Sequence, residues 1–178
     1  MKRGLTLAPV LLALACGGAG PYGYAPEYVP AGPEDEHLEA VENVTYEEIR
    51  RDPVDFGSTT VGWFGVVTGV EAGEGGETLV HLTYRTLQPR NLCADERDSS
   101  CRVTVSERAG GPFSAILALR PEEEAGSDRL WVGSLVKVYG QPTGDFDADG
   151  GPVLRATWHR HWPHGTYVTT AARGSMRR

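Results

Sequence analysis

The chain has 178 residues, in which 24 acidic side chains outnumber 17 basic ones and give a formal net charge of −7 at pH 7. An acidic chain lacks the excess of Lys and Arg that neutralises phosphates, which excludes nucleic acid as the expected partner. Beyond the first residues, no apolar run approaches the roughly 20 residues that a membrane-spanning helix needs.

The start of the chain has the layout of an export signal. Lys2 and Arg3 precede an uncharged apolar run, and small residues come just before Cys16. The run is too short to span a bilayer, so it predicts a signal peptide over residues 1–15. The five residues that end at Cys16, LALAC, resemble the lipobox of bacterial lipoproteins, in which lipid is attached to the cysteine. The alternative is an ordinary cleaved signal with an unmodified cysteine.

Lipid on Cys16 would make a membrane the first partner of the protein. Two acyl signals hold a protein stably on a bilayer, whereas a single chain binds only reversibly. In the lipoproteins that this leader resembles, an aspartate after the cysteine signals retention at the inner membrane, and Gly17 stands there instead. The resemblance implies a lipid-anchored protein of the outer membrane that faces the periplasm or the cell surface.

Cys93 and Cys101 are the cysteines that remain once Cys16 is lipidated. In an oxidising compartment the expected state of the pair is a disulfide. Closing so short a loop would stabilise the fold by about 2.5 kcal/mol in the chain-entropy treatment. A two-thiolate metal site is the alternative, but the pair lacks the CxxC spacing of zinc sites.

Residues 16–43 predict an acidic tether that is rich in Pro and Gly. From residue 17 onward this segment has several acidic side chains and no Lys or Arg. Such a segment buries too little apolar surface to offset its ordering entropy, and its prolines favour a semi-extended linker. A contact motif formed by Tyr22, Tyr24 and Tyr28 is the alternative to a solvated linker.

A folded domain is predicted over residues 44–167, and it begins with a short helix. Thr45 and Glu48 have the spacing of a capping box, in which each side chain bonds the backbone amide of the other. The helix should end near Arg51, because the residue ahead of Pro53 disfavours the helical region.

Five strands follow, recognised by period-two alternation of apolar and polar side chains. A long polar excursion over residues 88–111 carries the cysteine pair and allows a short strand near residues 102–105. One helical turn is predicted from Pro121, because proline and acidic residues suit a first turn. The predicted strands cover residues 60–71, 77–87, 113–119, 135–139 and 154–161.

The order of three strands, a helical connection and two strands predicts an all-β fold. We expect a small OB-like five-stranded Greek-key barrel preceded by a short N-terminal helix; a small antiparallel β-sandwich is the alternative. Turn residues over 141–152 should form the loop of the last hairpin. Residues 168–178 are predicted to be a disordered basic tail.

Six features spread along the chain occur together in one known family. They are the lipobox at Cys16, the Pro-containing tether, the short helix that ends at Pro53, the strand VGWFG from Val61, the run GSLVKVYG from Gly133, and a late aromatic and His strand that ends in Trp162-Pro163. Together they resemble the Slp-type (starvation lipoprotein) family of bacterial outer-membrane lipoproteins, over most of residues 10–165. The resemblance implies an anchored OB-like domain at the envelope with no assigned catalytic residues.

His159, His161 and His164 are the strongest candidates for site chemistry. Residues 159 and 161 of a strand project from one face about 7 Å apart, and Pro163 could bend the chain so that His164 returns toward them. Three imidazoles could hold Zn or Cu, whereas a solvent-facing strand explains the same pattern. With Tyr167 this stretch also invites comparison with a periplasmic haem chaperone, although the His and Tyr of that family lie one residue further apart.

Asp145, Asp147 and Asp149, followed by Gly150, match the first half of a DxDxDG calcium loop. Ala156 stands where the loop needs its last acidic ligand, so any calcium site would be incomplete and weak. A solvated hairpin tip is the alternative.

The sequence contains no nucleophile elbow, P-loop, CxxC or HExxH motif. We therefore expect a non-catalytic envelope protein without a cofactor, which binds a small ligand or an envelope partner or braces the cell surface. A metal or haem carrier that uses the C-terminal histidines is the second hypothesis. An envelope hydrolase is the third, and no residue stands out for it.

Overall fold

A computed structural model describes residues 28–85, 90–91 and 101–172. The helical elements in these ranges are a 3₁₀ turn at Gly32–Glu34, α1 (Asp35–Leu38), α2 (Tyr46–Arg51), a 3₁₀ turn at Glu74–Gly76 and α3 (Pro121–Glu124). The strands are β1 (Val61–Ala72), β2 (Thr78–Arg85), β3 (Arg90–Asn91), β4 (Val103–Val105), β5 (Ala109–Leu117), β6 (Leu135–Phe146), β7 (Pro152–Trp162) and β8 (Val168–Thr169). None of the helices described here is long and apolar enough to cross a membrane.

Five strands close into a barrel in the order β1-β2-β5-β7-β6, and β6 pairs back onto β1. Neighbouring strands are antiparallel except β5 and β7, which run parallel. A parallel pair cannot be joined by a tight hairpin, so the connection runs through α3 and β6. The predicted all-β, OB-like barrel with a preceding short helix is confirmed, and the closed strand order replaces the sandwich alternative.

The helix α2 forms where its end signals predict. Thr45 Oγ1 accepts a hydrogen bond from the Glu48 amide at 3.3 Å, and Glu48 Oε2 accepts one from the Thr45 amide at 2.8 Å. The helix ends at Arg51, ahead of Pro53. Its inner face contributes two fully buried side chains, Tyr46 and Ile49, to the barrel core.

The core is filled by inward-facing side chains of all five barrel strands. Its strand members are Val61, Trp63, Val67, Val80, Leu82, Phe113, Ala115, Leu117, Val136, Val138 and Leu154. β1 curves tightly around them, and its register shifts between Val67 and Gly69. A Cβ atom at Gly65 would lie 2.7 Å from the Phe113 ring, so only glycine allows this approach. Glycine at position 65 thus lets the first strand lie close against the core.

The last hairpin has a longer first strand and a shorter loop than the sequence predicts. β6 continues through Pro142 to Phe146, which leaves only residues 147–151 for the turn. Pro142 fits because the register is irregular between Pro142 and Phe146, where a ladder amide is not required. Asp147 closes the turn, donating from its amide to the Gly151 carbonyl at 2.8 Å.

β7 contains a bulge that alternation alone does not reveal. Tyr139 pairs with Trp158, but the next residue, Gly140, pairs with Ala156. Thr157 is therefore an extra residue with no opposite partner. A one-residue insertion reverses which face each later side chain occupies, so the part of β7 that follows the bulge is turned over.

The reversal turns two histidines inward. His159 lies opposite Val138 and His161 opposite Val136, and both valines belong to the core. Directly opposite residues share a face, so both imidazoles point to the interior side, with side chains only 6% and 3% exposed. The prediction that the two histidines share a face is confirmed. The alternative interpretation, in which they lie on a solvent-facing strand, is wrong.

Residues 28–43, which composition assigns to the tether, pack on the outer face of the barrel. Tyr28 and Ala31 are buried, and Glu34 is fully buried. Tyr28 joins a second apolar cluster with Phe64, Val103, Val105, Leu135 and Trp162. The tether prediction is therefore wrong from Tyr28 onward; its earlier part, residues 16–27, lies outside the described residues.

A small three-stranded sheet lies beside the barrel, in the order β3-β4-β8. β8 runs parallel to β4, pairing Val168 with Thr104. The predicted disordered tail thus begins too early, because residues 168–172 belong to the folded unit. Residues 173–178 lie outside the described residues, as do the leader and its Cys16.

Candidate functional site

The docked N-terminal segment carries a buried carboxylate, Glu34. Its Oε2 atom accepts hydrogen bonds from the Tyr28 hydroxyl, from Arg160 Nη1 at 2.9 Å and from the Ala31 amide at 2.7 Å. Its Oε1 atom accepts one from the Tyr139 hydroxyl at 3.1 Å. The donors come from both the segment and the barrel, so the carboxylate joins the two.

Lys137 completes this cluster on β6. Its side chain is 3% exposed, and its ammonium lies 3.9 Å from Glu34 Oε1. Around it stand the rings of Tyr28, Tyr139 and Phe64, with centroids 4.3, 4.7 and 4.8 Å from Nζ. Burial lowers the pKa of Lys137 to about 8, although Glu34 counteracts part of this effect.

The Glu34 cluster, formed by Glu34, Tyr28, Lys137, Tyr139 and Arg160, is a fastening between the segment and the barrel. Burial, with the nearby carboxylate, raises the pKa of both tyrosines, so their hydroxyls stay protonated and keep donating. Removing one partner from a buried ion pair leaves the other charge uncompensated, which costs about 3–5 kcal/mol. The cluster therefore holds residues 28–38 against the outer face of β6 and β7.

The two inward histidines converge on a second buried carboxylate, Glu123 of α3. His159 Nε2 lies 2.9 and 3.1 Å from its two oxygens, and His161 Nδ1 lies 3.7 Å from Oε1. Arg120 approaches the same carboxylate with its amide, at 2.9 Å, and with its guanidinium. Glu123 is the carboxylate that sequence reasoning could not assign to the histidines, because 36 positions separate it from His159.

Glu123 and His161 differ in charge at neutral pH, because their surroundings shift the pKa of each. Burial alone would raise the pKa of Glu123, but His159 and Arg120 outweigh it and hold the pKa below its usual range. Burial lowers the pKa of His161 to about 4, and the opposing effect of Glu123 only partly offsets this. At neutral pH, Glu123 is an anion and His161 is a neutral imidazole.

A cleft of about 400 Å³ opens beside His161, between α3 and the end of β7. Arg120, Glu122, Asp128 and Thr166 contribute to its lining. His161 Nε2 is buried and has no hydrogen-bond partner. This places an unsatisfied polar atom at a cleft whose other side chains are mostly charged.

His164 does not join the other two histidines. Its side chain is exposed, and Nδ1 lies 3.3 Å from the Gly133 carbonyl oxygen, which also accepts a hydrogen bond from the Tyr167 hydroxyl at 2.6 Å. Among the residues that the structure describes, no three His, Cys, Asp or Glu side chains are placed to hold a metal ion. The predicted arrangement of His159, His161 and His164 as one Zn or Cu site is therefore not formed. The haem comparison likewise gains no support.

The calcium half-loop is not formed either. Asp147 Oδ1 accepts the amides of Asp149 at 3.0 Å and Gly151 at 2.8 Å, while Oδ2 accepts the Ser114 hydroxyl at 2.6 Å. Asp145 instead accepts a hydrogen bond from the hydroxyl of a neighbouring threonine. The carboxylates thus have separate partners, and Asp147 staples the turn that the predicted loop becomes.

Sequence reasoning missed a series of side-chain contacts that joins a serine, a histidine and a glutamate on the outer face of the barrel. Ser114 Oγ lies 2.9 Å from His81 Nδ1, and His81 Nε2 lies 3.4 Å from Glu71. The order resembles the nucleophile, base and acid of a hydrolase. Ser114 is fully buried, however, and its hydroxyl donates to Asp147. These contacts therefore hold the β6–β7 turn against the barrel wall, and the buried serine is not an accessible nucleophile.

Cys101 is buried and disulfide-bonded. The partner that the sequence predicts, Cys93, lies outside the described residues, so the pairing stays a prediction. On the described side, the Cys101 carbonyl accepts a hydrogen bond from Trp162 Nε1 at 2.9 Å, which fixes the end of the excursion to β7.

Comparison with known proteins assigns no family to this chain. No protein-family model matches it, and no curated protein sequence matches it either. The Slp-type resemblance therefore stays an expectation drawn from the residues, and the function must be argued from the fold and its sites.

Proposed function

We propose that this chain is an exported, lipid-anchored protein of the bacterial outer membrane, whose OB-like barrel binds a ligand or an envelope partner without covalent chemistry. The anchor is Cys16, within the lipobox-like stretch of the leader. A disulfide between Cys93 and Cys101 suits the oxidising compartment that such a protein would occupy.

The observation that carries this proposal is the fastening of the N-terminal segment. A solvated linker does not need a buried carboxylate. A segment that keeps a domain at a fixed distance from its membrane anchor, by contrast, must be firmly attached to that domain. The Glu34 cluster supplies one, with Arg160 Nη1 at 2.9 Å and two tyrosine hydroxyls bound to one carboxylate.

The fastening also limits how far the barrel can stand from the membrane. Only residues 17–27 separate Cys16 from the docked segment, and even a fully extended chain of that length spans at most roughly 40 Å. A linker that stayed free up to residue 43 would reach roughly 90 Å. The barrel is therefore held near the membrane surface, where a ligand or a partner at the envelope is within reach.

Metabolic labelling with an alkyne fatty acid in a bacterial host tests the anchor. The wild-type chain should take up label and sediment with membranes, and Cys16→Ala should do neither. Gly17→Ala is the matched control and should behave as wild type, while Gly17→Asp should move the protein to the inner membrane. Label or carbonate-resistant sedimentation that persists in Cys16→Ala would overturn the proposal.

A further inference from the structure

The cleft beside His161 has features of a ligand site that the fastening does not explain. Its volume of about 400 Å³ lies in the range of small-molecule pockets. The His161 side chain is 3% exposed, so it lies at the floor of the cleft and not at its rim. The Nε2 atom there has no hydrogen-bond partner. A buried polar atom without a partner costs about 1–3 kcal/mol, which a bound ligand could recover.

The neighbours of His161 decide whether Nε2 donates or accepts. Nδ1 lies 3.7 Å from Glu123 Oε1, and this carboxylate can only accept a hydrogen. The neutral ring therefore places its hydrogen on Nδ1, where it faces Glu123, and leaves a lone pair on Nε2. A ligand that satisfies Nε2 must bring a hydrogen-bond donor.

The charged side chains that line the cleft indicate whether that ligand should be positive or negative. Glu122, Glu123 and Asp128 contribute three carboxylates, and Arg120 contributes one guanidinium. The guanidinium is already committed, since it pairs with Glu123 and lies 3.5 Å from Glu122. Asp128 is exposed, and within the described residues it forms no ion pair. A net negative cleft with a neutral acceptor at its floor suits a cation.

We propose that this cleft binds a small organic cation with N–H donors, an amine or a guanidine, with His161 Nε2 accepting one hydrogen bond and Asp128 and Glu122 supplying the opposing charge. The proposal deepens the binding role given to the barrel above. It needs no lipid anchor, so a failure of the Cys16 experiment and a failure here are distinguishable.

Calorimetric titration of the full chain in detergent tests the ligand class. Putrescine and agmatine are the probes. The bis-quaternary analogue of putrescine, in which each nitrogen carries three methyl groups, has the same charge but no N–H donor, and 1,4-butanediol has donors but no charge. Both diamine-type probes with N–H groups should bind, and the two control compounds should bind at least about tenfold more weakly, since a hydrogen bond to a charged group is worth that much. Equal binding of the bis-quaternary analogue, or no binding of either amine, would overturn the proposal.

Variants assign the residues. His161→Phe should weaken putrescine binding about tenfold or more, because it removes the acceptor and keeps a ring in place. Asp128→Asn should weaken it by up to about fivefold, the range of an exposed ion pair. Asp149→Asn makes the same charge change in the β6–β7 turn and should leave binding unchanged. Unaltered affinity in His161→Phe would contradict the assignment.

A measurement on the unaltered chain guards against a variant that fails to fold. In ¹⁵N spectra of the histidine side chains, putrescine should shift the unprotonated Nε2 signal of His161 and leave His81 and His164 where they were. An unmoved His161 signal at saturating putrescine would remove the site.

Discussion

Replacing Glu34 with Gln tests the fastening of the N-terminal segment. The change keeps the shape of the side chain and removes the charge that compensates Arg160 and Lys137, at 2.9 and 3.9 Å. Both cations are buried, so they cannot recover their hydration in the folded state. Breaking a buried pair from one side costs about 3–5 kcal/mol, and this is the expected loss in the free energy of unfolding.

The pH dependence of that loss follows from Lys137. Its pKa is about 8 in the folded chain against 10.5 for an unperturbed lysine, so the unfolded chain binds more protons between these values and stability rises with pH there. Without Glu34 the folded pKa falls further and the window extends to lower pH. The cost of Glu34→Gln should therefore be smaller at pH 9, where Lys137 can be neutral, than at pH 6.

Urea unfolding of the full chain, followed by tryptophan fluorescence at pH 6 and pH 9, measures both quantities. Glu36→Gln is the matched control, because it makes the same change on the exposed side of α1 and should alter stability by less than about 0.5 kcal/mol. A Glu34→Gln variant as stable as this control would show that the segment is not fastened by its carboxylate.

Three further predictions concern the barrel. Ser114→Ala leaves Asp147 and His81 without their shared partner and should lower the free energy of unfolding in urea by about 1–3 kcal/mol, whereas the exposed Ser127→Ala should lower it by less than about 0.5 kcal/mol. The pKa of His161 is about 4 in the folded chain and 6.5 when unfolded, so the free energy of unfolding should fall by roughly 3 kcal/mol as the pH drops from 6.5 to 4. His161→Phe should remove most of this pH dependence. A variant with the same pH dependence as the wild-type chain would contradict burial of a neutral imidazole. In the same urea unfolding experiment, Thr45→Ala should lower the free energy of unfolding by about 1 kcal/mol, because it removes the acceptor of the helix cap. Thr45→Ser keeps the hydroxyl and should change it very little.

The sequence predicted those parts of the fold whose signals are local. The capping box of Thr45 and Glu48 lies within one helical turn, and the apolar alternation of β2 and β5 is read along each strand. These features do not depend on distant residues. The predicted helix, the order of the barrel strands along the chain and the all-β fold class therefore agree with the structure.

The alternation of β7 breaks at one residue, and the interpretation of its histidines as solvent-facing fails there. Alternation carries a strand's phase forward from Leu154, but Thr157 is inserted opposite no partner and reverses it. A bulge depends on the register with the neighbouring strand, and a single strand read by itself does not contain that register.

The docked segment was missed for a different reason. Composition describes residues 28–43 as acidic and poor in apolar surface, and by that measure they should stay solvated. Glu34 is buried because Tyr139 and Arg160 meet it from 105 and 126 positions away. Nothing in the neighbourhood of Glu34 in the sequence reveals these partners.

Hydrogen exchange over residues 28–43 of the full chain tests the central claim most directly, namely that the segment next to the predicted anchor belongs to the folded domain. The amides of Ala31, Glu34 and Glu42 donate to fixed acceptors and should exchange slowly in the wild-type chain. They should exchange quickly in Glu34→Gln. Exchange of these amides at the rates of an unstructured peptide in the wild-type chain would contradict the account.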